Sequence, residues 1–181
     1  CHMRFTACLL YVLLKHAARE KGDGGGLDTL GQLLLAGTYA VNDPAGFAES
    51  TRLKILELQE ADGSWKPGGQ LPRLNRGEPE GTELTTMWAA FALSGRKDAK
   101  SAGGVDRALG YLKKAKPGET SEWQAVRLLV AKALGGPDEV GTFQQQLLGL
   151  QNADGGWSWR KGGPSDAFAT GQALYALSVA G

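Results

Sequence analysis

Cysteine, histidine and methionine are nearly missing from this chain, with two of each in 181 residues. Cys1, His2, Cys8 and His16 all fall within the first 16 positions. Two cysteines this close make no disulfide framework. Cys8 sits inside an apolar helical pattern and reads as a small buried residue. Beyond residue 16 no thiolate or imidazole remains to build a tetrahedral metal site. A Ser-His-Asp arrangement would have to draw on His2 or His16. Neither adjoins a nucleophile motif, and His16 continues the apolar face of a helix. No charge dominates either: Lys plus Arg number 20 and Asp plus Glu 19, for a net charge of +1. With no basic stripe and no basic amphipathic helix, nucleic acid and anionic membrane surfaces are excluded as expected partners. The longest apolar run, Ala7 to Leu14, is far short of the roughly 20 residues that span a bilayer. The start carries neither the charged flank nor the small-residue cleavage site of a signal peptide. A soluble chain is expected.

Period-two alternation is also missing, and β-branched residues are scattered, so no strand is expected. What is present is helical periodicity punctuated by 27 glycines. Phe5, Leu9, Val12, Leu13 and His16 share one face of a helix at about 4–20. Leu27 to Ala36 give a second, and a third runs at about 45–60 after the Asn42-Asp43-Pro44 turn. Leu84, Met87, Trp88 and Phe91 mark a fourth at about 82–94. Val105, Ala108, Leu109 and Leu112 mark a fifth. Trp123, Val126, Val130 and Leu134 mark a sixth, capped by Thr120 or Ser121. Val140, Phe143, Leu147 and Leu150 mark a seventh, and the eighth runs at about 166–180. Short Gly/Pro/Asp connections pair these into four hairpins.

A repeat organises the pattern. Leu56-Glu57-Leu58-Gln59-Glu60-Ala61-Asp62-Gly63-Ser64-Trp65 returns as Leu148-Gly149-Leu150-Gln151-Asn152-Ala153-Asp154-Gly155-Gly156-Trp157. Each copy is followed by a matching helix, Thr86 to Ser94 and Thr170 to Ser178. The tryptophans lie 92 positions apart and the threonines 84, so the first copy holds an 8-residue insertion within Lys66 to Glu80. A spacing of 92 is two hairpins of about 46 residues each, a usual size for stacked helical units. In each copy Asp-Gly after a helix supplies a turn in which Gly63 or Gly155 can take φ > 0 without Cβ strain. The Gln59 and Gln151 amides are expected to meet orphan carbonyls there and the next helix's free N–H groups. Trp65 and Trp157 would cover the junction. The repeat units run about 45–94 and 138–180. The whole of 1–181 reads as one domain, and the clasp as a stabilising device.

Q-x-x-x-G-x-W after an apolar helix resembles the QW motif of squalene–hopene and oxidosqualene cyclases. Their α/α-barrel architecture is shared by protein prenyltransferase β-subunits and complement-type thioester domains. The resemblance covers most of residues 45–181 and weakens over the first 40. It implies an all-α fold, an incomplete α/α-toroid of about four hairpins where the family's full barrel has six. Completion by other sequence, an open crescent and half of a shared assembly all stay open, and with them a homo-oligomer.

The family's chemistry does not carry over. Class II terpene cyclases resemble one another in a D-x-D-D-T-A segment whose middle Asp protonates an alkene, a task that needs a strong, desolvated carboxylic acid. Aligned on the shared Thr, the segment here reads Asp166-Ala167-Phe168-Ala169-Thr170, with Phe168 in the acid's place. The other copy reads Thr82-Glu83-Leu84-Thr85-Thr86, with Leu84 there. The prenyltransferase zinc set of Asp, Cys and His lacks downstream Cys and His, and the Cys-Gly-Glu-Gln thioester segment is missing. The resemblance leaves a pocket at inner-helix N-termini, with Glu83, Trp88, Asp166, Phe168 and Tyr175 as candidate lining. The plainer reading makes Trp88 and Tyr175 core, and Glu83 and Asp166 favourable charges at helix starts. The Lys66 to Glu80 segment reads as a surface excursion or a partner loop.

Cys1-His2 has two readings. One is the end of a C-x-x-C-H haem-attachment motif. Certain secreted bacterial proteins are similar, pairing that motif with this helical repeat and with a Leu-Pro-Arg…Thr-Thr-Met-Trp-Ala stretch like Leu71 to Ala89. On that reading a longer native chain carries c-type haem in the periplasm or outside the cell. The other is that His2-Met3 is left from cloning. No cofactor is assigned to these residues. The expectation is a binding module for an apolar or extended ligand or a protein partner. The alternative is part of an isoprenoid-processing, cyclase-like enzyme whose catalytic residues lie elsewhere.

Overall fold

The computed structural model describes residues 47–67, 78–95 and 97–181. The helices expected at 4–20 and 27–36, the turn at 42–44, all four Cys and His residues, and most of the 66–80 excursion lie outside the described residues. Within them the chain is all-helical. The helices are α1 (Phe47–Glu57), α2 (Glu78–Ser94), α3 (Ala99–Leu112), α4 (Ser121–Leu134), α5 (Pro137–Leu148) and α6 (Ala167–Ala180). Among the described residues there is no strand, only an isolated antiparallel bridge between Thr120 and Arg160.

Local chemistry sets the helix ends. Helix α2 begins four residues earlier than the apolar pattern indicates, at Glu78-Pro79-Glu80. Proline's fixed φ and missing N–H suit a first turn, and the acidic flanks favour it electrostatically. Asp98 caps α3: its Oδ1 accepts from Ser101 N at 3.0 Å. Thr120 caps α4 as expected, accepting from Trp123 N at 3.2 Å. Asp166 caps α6, accepting from Ala169 N at 2.8 Å. Helix α5 opens on Pro137 behind Gly136.

The chain divides into two compact units, 1–111 and 112–181. In the first, α1 is tied to the start of α3 through the buried Arg52. Its Nη1 donates to Asp98 Oδ1 at 3.1 Å and to Ser101 Oγ at 3.0 Å, while Nε donates to Glu49 at 2.8 Å. A buried guanidinium needs this many acceptors to offset lost hydration. In the second unit α4 packs against both α5 and α6. Ala125, Val126, Leu128, Leu129, Val130 and Ala131 are accordingly buried. Trp123 meets Phe143 of α5 edge to face at 6.5 Å, and Lys132 Nζ donates to the last α6 carbonyl, Ala180 O, at 2.8 Å.

Candidate functional site: two tryptophan clasps and an uncovered helix

The two copies of the repeat build the same object. Trp65 and Trp157 are 0% and 1% exposed. Each indole Nε1 donates to a carbonyl ten residues upstream in the last turn of the preceding helix, Ile55 O at 2.7 Å and Leu147 O at 2.8 Å. Helix ends leave carbonyls without their usual intrahelical partners, and a buried one is costly; Leu147 O also accepts from Leu150 N at 3.1 Å. The indole therefore acts as a C-terminal cap, the role expected of the glutamine. Each tryptophan's backbone N–H is received by a threonine of the following helix, Thr86 Oγ1 at 3.0 Å and Thr170 Oγ1 at 2.9 Å. The shared threonine thus joins the ring-bearing turn to the next helix.

The turns match as well. Glu60 N bonds Ser64 O and Gly63 N bonds Glu60 O; Asn152 N bonds Gly156 O and Gly155 N bonds Asn152 O. Gly63 and Gly155 have φ of +94° and +81°, a conformation that penalises any Cβ. The glutamine brackets the turn from inside, with Gln59 Nε2 on Gly63 O at 3.0 Å and Gln151 Nε2 on Gly155 O at 2.8 Å. Asp62 Oδ1 accepts from Ser64 N and Oγ at 2.9 and 2.7 Å. Those bonds, the hydroxyl's first, hold its carboxyl below the usual range. In the second copy glycine stands where Ser64 was, and Ser165 supplies the hydroxyl to Asp154 at 2.7 Å. Its bond, then that of Gly156 N, lowers Asp154 likewise. The exchange is steric: a Cβ at Gly156 would lie 2.7 Å from Ser165.

Outside the turns the copies part. Gln59 Nε2 also donates to Gly104 O in the body of α3 at 2.8 Å. Its Oε1 accepts from Arg107 Nε at 3.0 Å and also from Nη2. The glutamine thus grips a helix side, where the sequence led us to expect a helix start. Gln151 is exposed, and among the described residues its amide bonds its own turn. Helix α2 is buried without interruption from Glu83 to Ala90. Helix α6, apolar nearly all round, is buried only along Ala169, Ala173, Ala176 and Ala180. A helix apolar on every side ordinarily lies inside a protein.

The candidate pocket residues separate accordingly. In the first unit Glu83 is 5% exposed and Trp88 9%. Burial, then the Glu83 charge, raise the Tyr111 phenol, and Trp88 meets Phe91 edge to face at 6.1 Å. In the second unit Asp166 is a cap, with its Oδ2 accepting from Trp159 N at 3.0 Å. Phe168 and Tyr175 are 63% and 53% exposed. Seven residues apart on α6, they share a face turned to solvent, so the core reading holds for Trp88 and not for Tyr175. Among the described residues no group of three or more His, Cys, Asp or Glu side chains is placed to hold a metal ion. No helix among them is long and apolar enough to cross a membrane. Compared with known proteins, the chain matches no family model, no curated protein and no solved structure. The function therefore has to be read from the site itself. What sequence reasoning missed was the threonine's part. A Thr fixed at the same place in both following helices was visible, but its bond spans 21 residues in one copy and 13 in the other.

Proposed function

We propose that this chain is a non-catalytic binding module of the squalene-cyclase-like, QW-repeat kind, holding an extended apolar ligand against α6. The observation that carries the reading is the uncovered apolar face of that helix, where Phe168, Leu174, Tyr175 and Val179 stand exposed. Two aromatic rings a helical repeat apart offer a flat apolar strip, and covering such a ring gains about 1.5–3 kcal/mol. Leu84 and Phe168 at the aligned acid positions support binding over turnover, because neither can deliver a proton to an alkene. On this reading the clasps serve architecture and no resident cofactor takes part.

Squalene serves as the probe, with binding followed by tryptophan fluorescence and products by mass spectrometry. Saturable binding without cyclised product is expected. Changing Phe168 and Tyr175 together to Ser weakens binding about tenfold or more, since each lost ring contact exceeds the 1.4 kcal/mol of one decade. Cyclised product, or no saturable binding, overturns the reading.

A further inference from the structure

Two arginines lose much of their water on folding, and their surroundings differ. Arg52 is 7% exposed and reaches oxygens of Glu49, Asp98 and Ser101. Arg127, in the middle of α4, is half-buried. Among the described residues no hydrogen bond or ion pair reaches its guanidinium, whose Cζ lies 5.0 Å from the centre of the Phe143 ring on α5. A ring face attracts the charge but does not pair the five N–H donors. Burial pushes the guanidinium's pKa down, and the Glu139 charge on α5 opposes that shift. The Glu139 carboxylate itself is turned to the end of α4, against Gly135, in space that a Cβ there would fill. Desolvated donors left unpaired are costly, and Arg52 shows how this chain meets that cost elsewhere.

The place of this guanidinium follows from helix register. On α5 the fully buried Leu147 marks the core side, and at about 100° per residue Phe143 and Gln144 stand to either side of it. Gln144 Nε2 donates to Gly181 O at 3.3 Å, so its flank faces the end of α6. Phe143 and Arg127 stand on the other flank, away from α6 and Gly181. Trp123, one turn before Arg127, is buried and meets the same ring edge to face at 6.5 Å, which holds Phe143 from behind. The α4–α5 flank thus sets a cation with unpaired donors beside a half-buried aromatic ring. We infer that it binds a small organic acid, a carboxylate on an apolar body, with the two oxygens accepting side by side from Arg127 and the body lying against Phe143. The guanidinium fork matches a carboxylate's two oxygens, which a lysine's point charge does not. This site is separate from the α6 face and goes beyond the ligand reading above.

Benzoate is the probe, added to the full chain at constant ionic strength. Nitrogen–proton NMR correlation signals of the arginine Nε–H groups and of the α4 and α5 amides report binding. A saturable shift at Arg127 Nε–H is expected. Benzyl alcohol, which lacks the charged oxygens, and acetate, which lacks the apolar body, each bind about tenfold more weakly or worse. Arg127→Lys weakens benzoate binding about tenfold, because the paired bonds become one. Arg127→Met abolishes it, while the Tm of the unliganded protein holds or rises, since an unpaired desolvated charge has gone. Glu139→Gln leaves the guanidinium in place and tightens binding about twofold by removing a charge that repels the ligand. The Phe168 and Tyr175 double variant binds benzoate normally, so failure of the squalene reading leaves this one standing. Four results overturn the inference: no saturable shift; an equal shift with chloride at the same ionic strength; benzoate binding that survives Arg127→Met; or a lowered Tm in that variant, which makes the guanidinium a folding element.

Discussion

Trp65 and Trp157 cap equivalent helix ends, take the same threonine bond and close the same glycine turn, yet Gln59 holds a neighbouring helix while, among the described residues, Gln151 holds its own loop. What the two share is the machinery internal to one helical hairpin. What they do not share, among the described residues, is a neighbour. A repeat unit is thus complete in its own hydrogen bonds before it is complete in its burial, and the apolar surface left over on α6 is the surface a next layer would use. The contrast between α2 and α6 makes the same point: similar composition, different cover.

The largest test removes the rings. Trp65→Ala and Trp157→Ala each delete a fully buried indole and its bond to a helix-end carbonyl, for a loss of about 3–5 kcal/mol in the unit concerned. Hydrogen exchange resolved by segment reads the two units separately, with amides of α1 and α2 reporting on Trp65 and those of α5 and α6 on Trp157. Similar losses sharpen the equivalence. A loss under about 1 kcal/mol for Trp157→Ala breaks it, because the second clasp would then hold little without its neighbour.

The next test separates inside from outside. Gly63→Ala and Gly155→Ala carry the same backbone penalty, about 1–2 kcal/mol for a Cβ at positive φ. Only the first also drives a methyl into Arg107 O, adding about 1–3 kcal/mol of overpacking. Chemical denaturation should therefore rank Gly63→Ala as clearly the more damaging. Equal effects would mean that α3 is not pressed against the first turn.

The internal half of this comparison was legible in the residues. Gln59, Asp62, Gly63 and Trp65 recur as Gln151, Asp154, Gly155 and Trp157, and identical turn chemistry gives identical turns. The helical periodicity from Leu84 to Phe91 and from Val140 to Leu147 placed the elements, and Thr120 was readable as a cap. Two things were not legible. The division of labour within the clasp was hidden because an amide and an indole N–H are both able donors, and distance alone decides that the ring reaches the helix-end carbonyl. Exposure was hidden because Phe168 and Tyr175 look no different in sequence from Leu84 and Phe91. Burial depends on which neighbour is present, and no single helix encodes that. The candidate pocket residues show the same dependence within each unit: Glu83 and Trp88 are buried, while Phe168 and Tyr175 stand exposed.

The smallest effect concerns the two turn carboxylates. Asp62 and Asp154 are both held below an ordinary aspartate's pKa by serine hydroxyl bonds and backbone N–H bonds. A carboxyl depressed in the folded state adds stability that is fully present above the unfolded value of about 3.9 and is lost as pH falls through the lower folded value. Acidification should therefore loosen both turns together while the ring caps stay closed. Carboxyl-carbon NMR titration reads the midpoints, and exchange protection at Ser64 N and Gly156 N reads the turns. Ser64→Ala and Ser165→Ala each raise the midpoint of the adjoining aspartate toward the ordinary range. The two serines differ in reach. Ser64 sits within its own turn, whereas Ser165 also receives Asn152 Nδ2 at 2.9 Å and so anchors the segment leading into α6. Ser165→Ala should disturb exchange as far as the Asp166 cap, while Ser64→Ala stays local to residues 60–65. Equal spread would mean that the glycine-for-serine exchange at 156 only relocates a hydroxyl and does not tie the turn to the helix that follows.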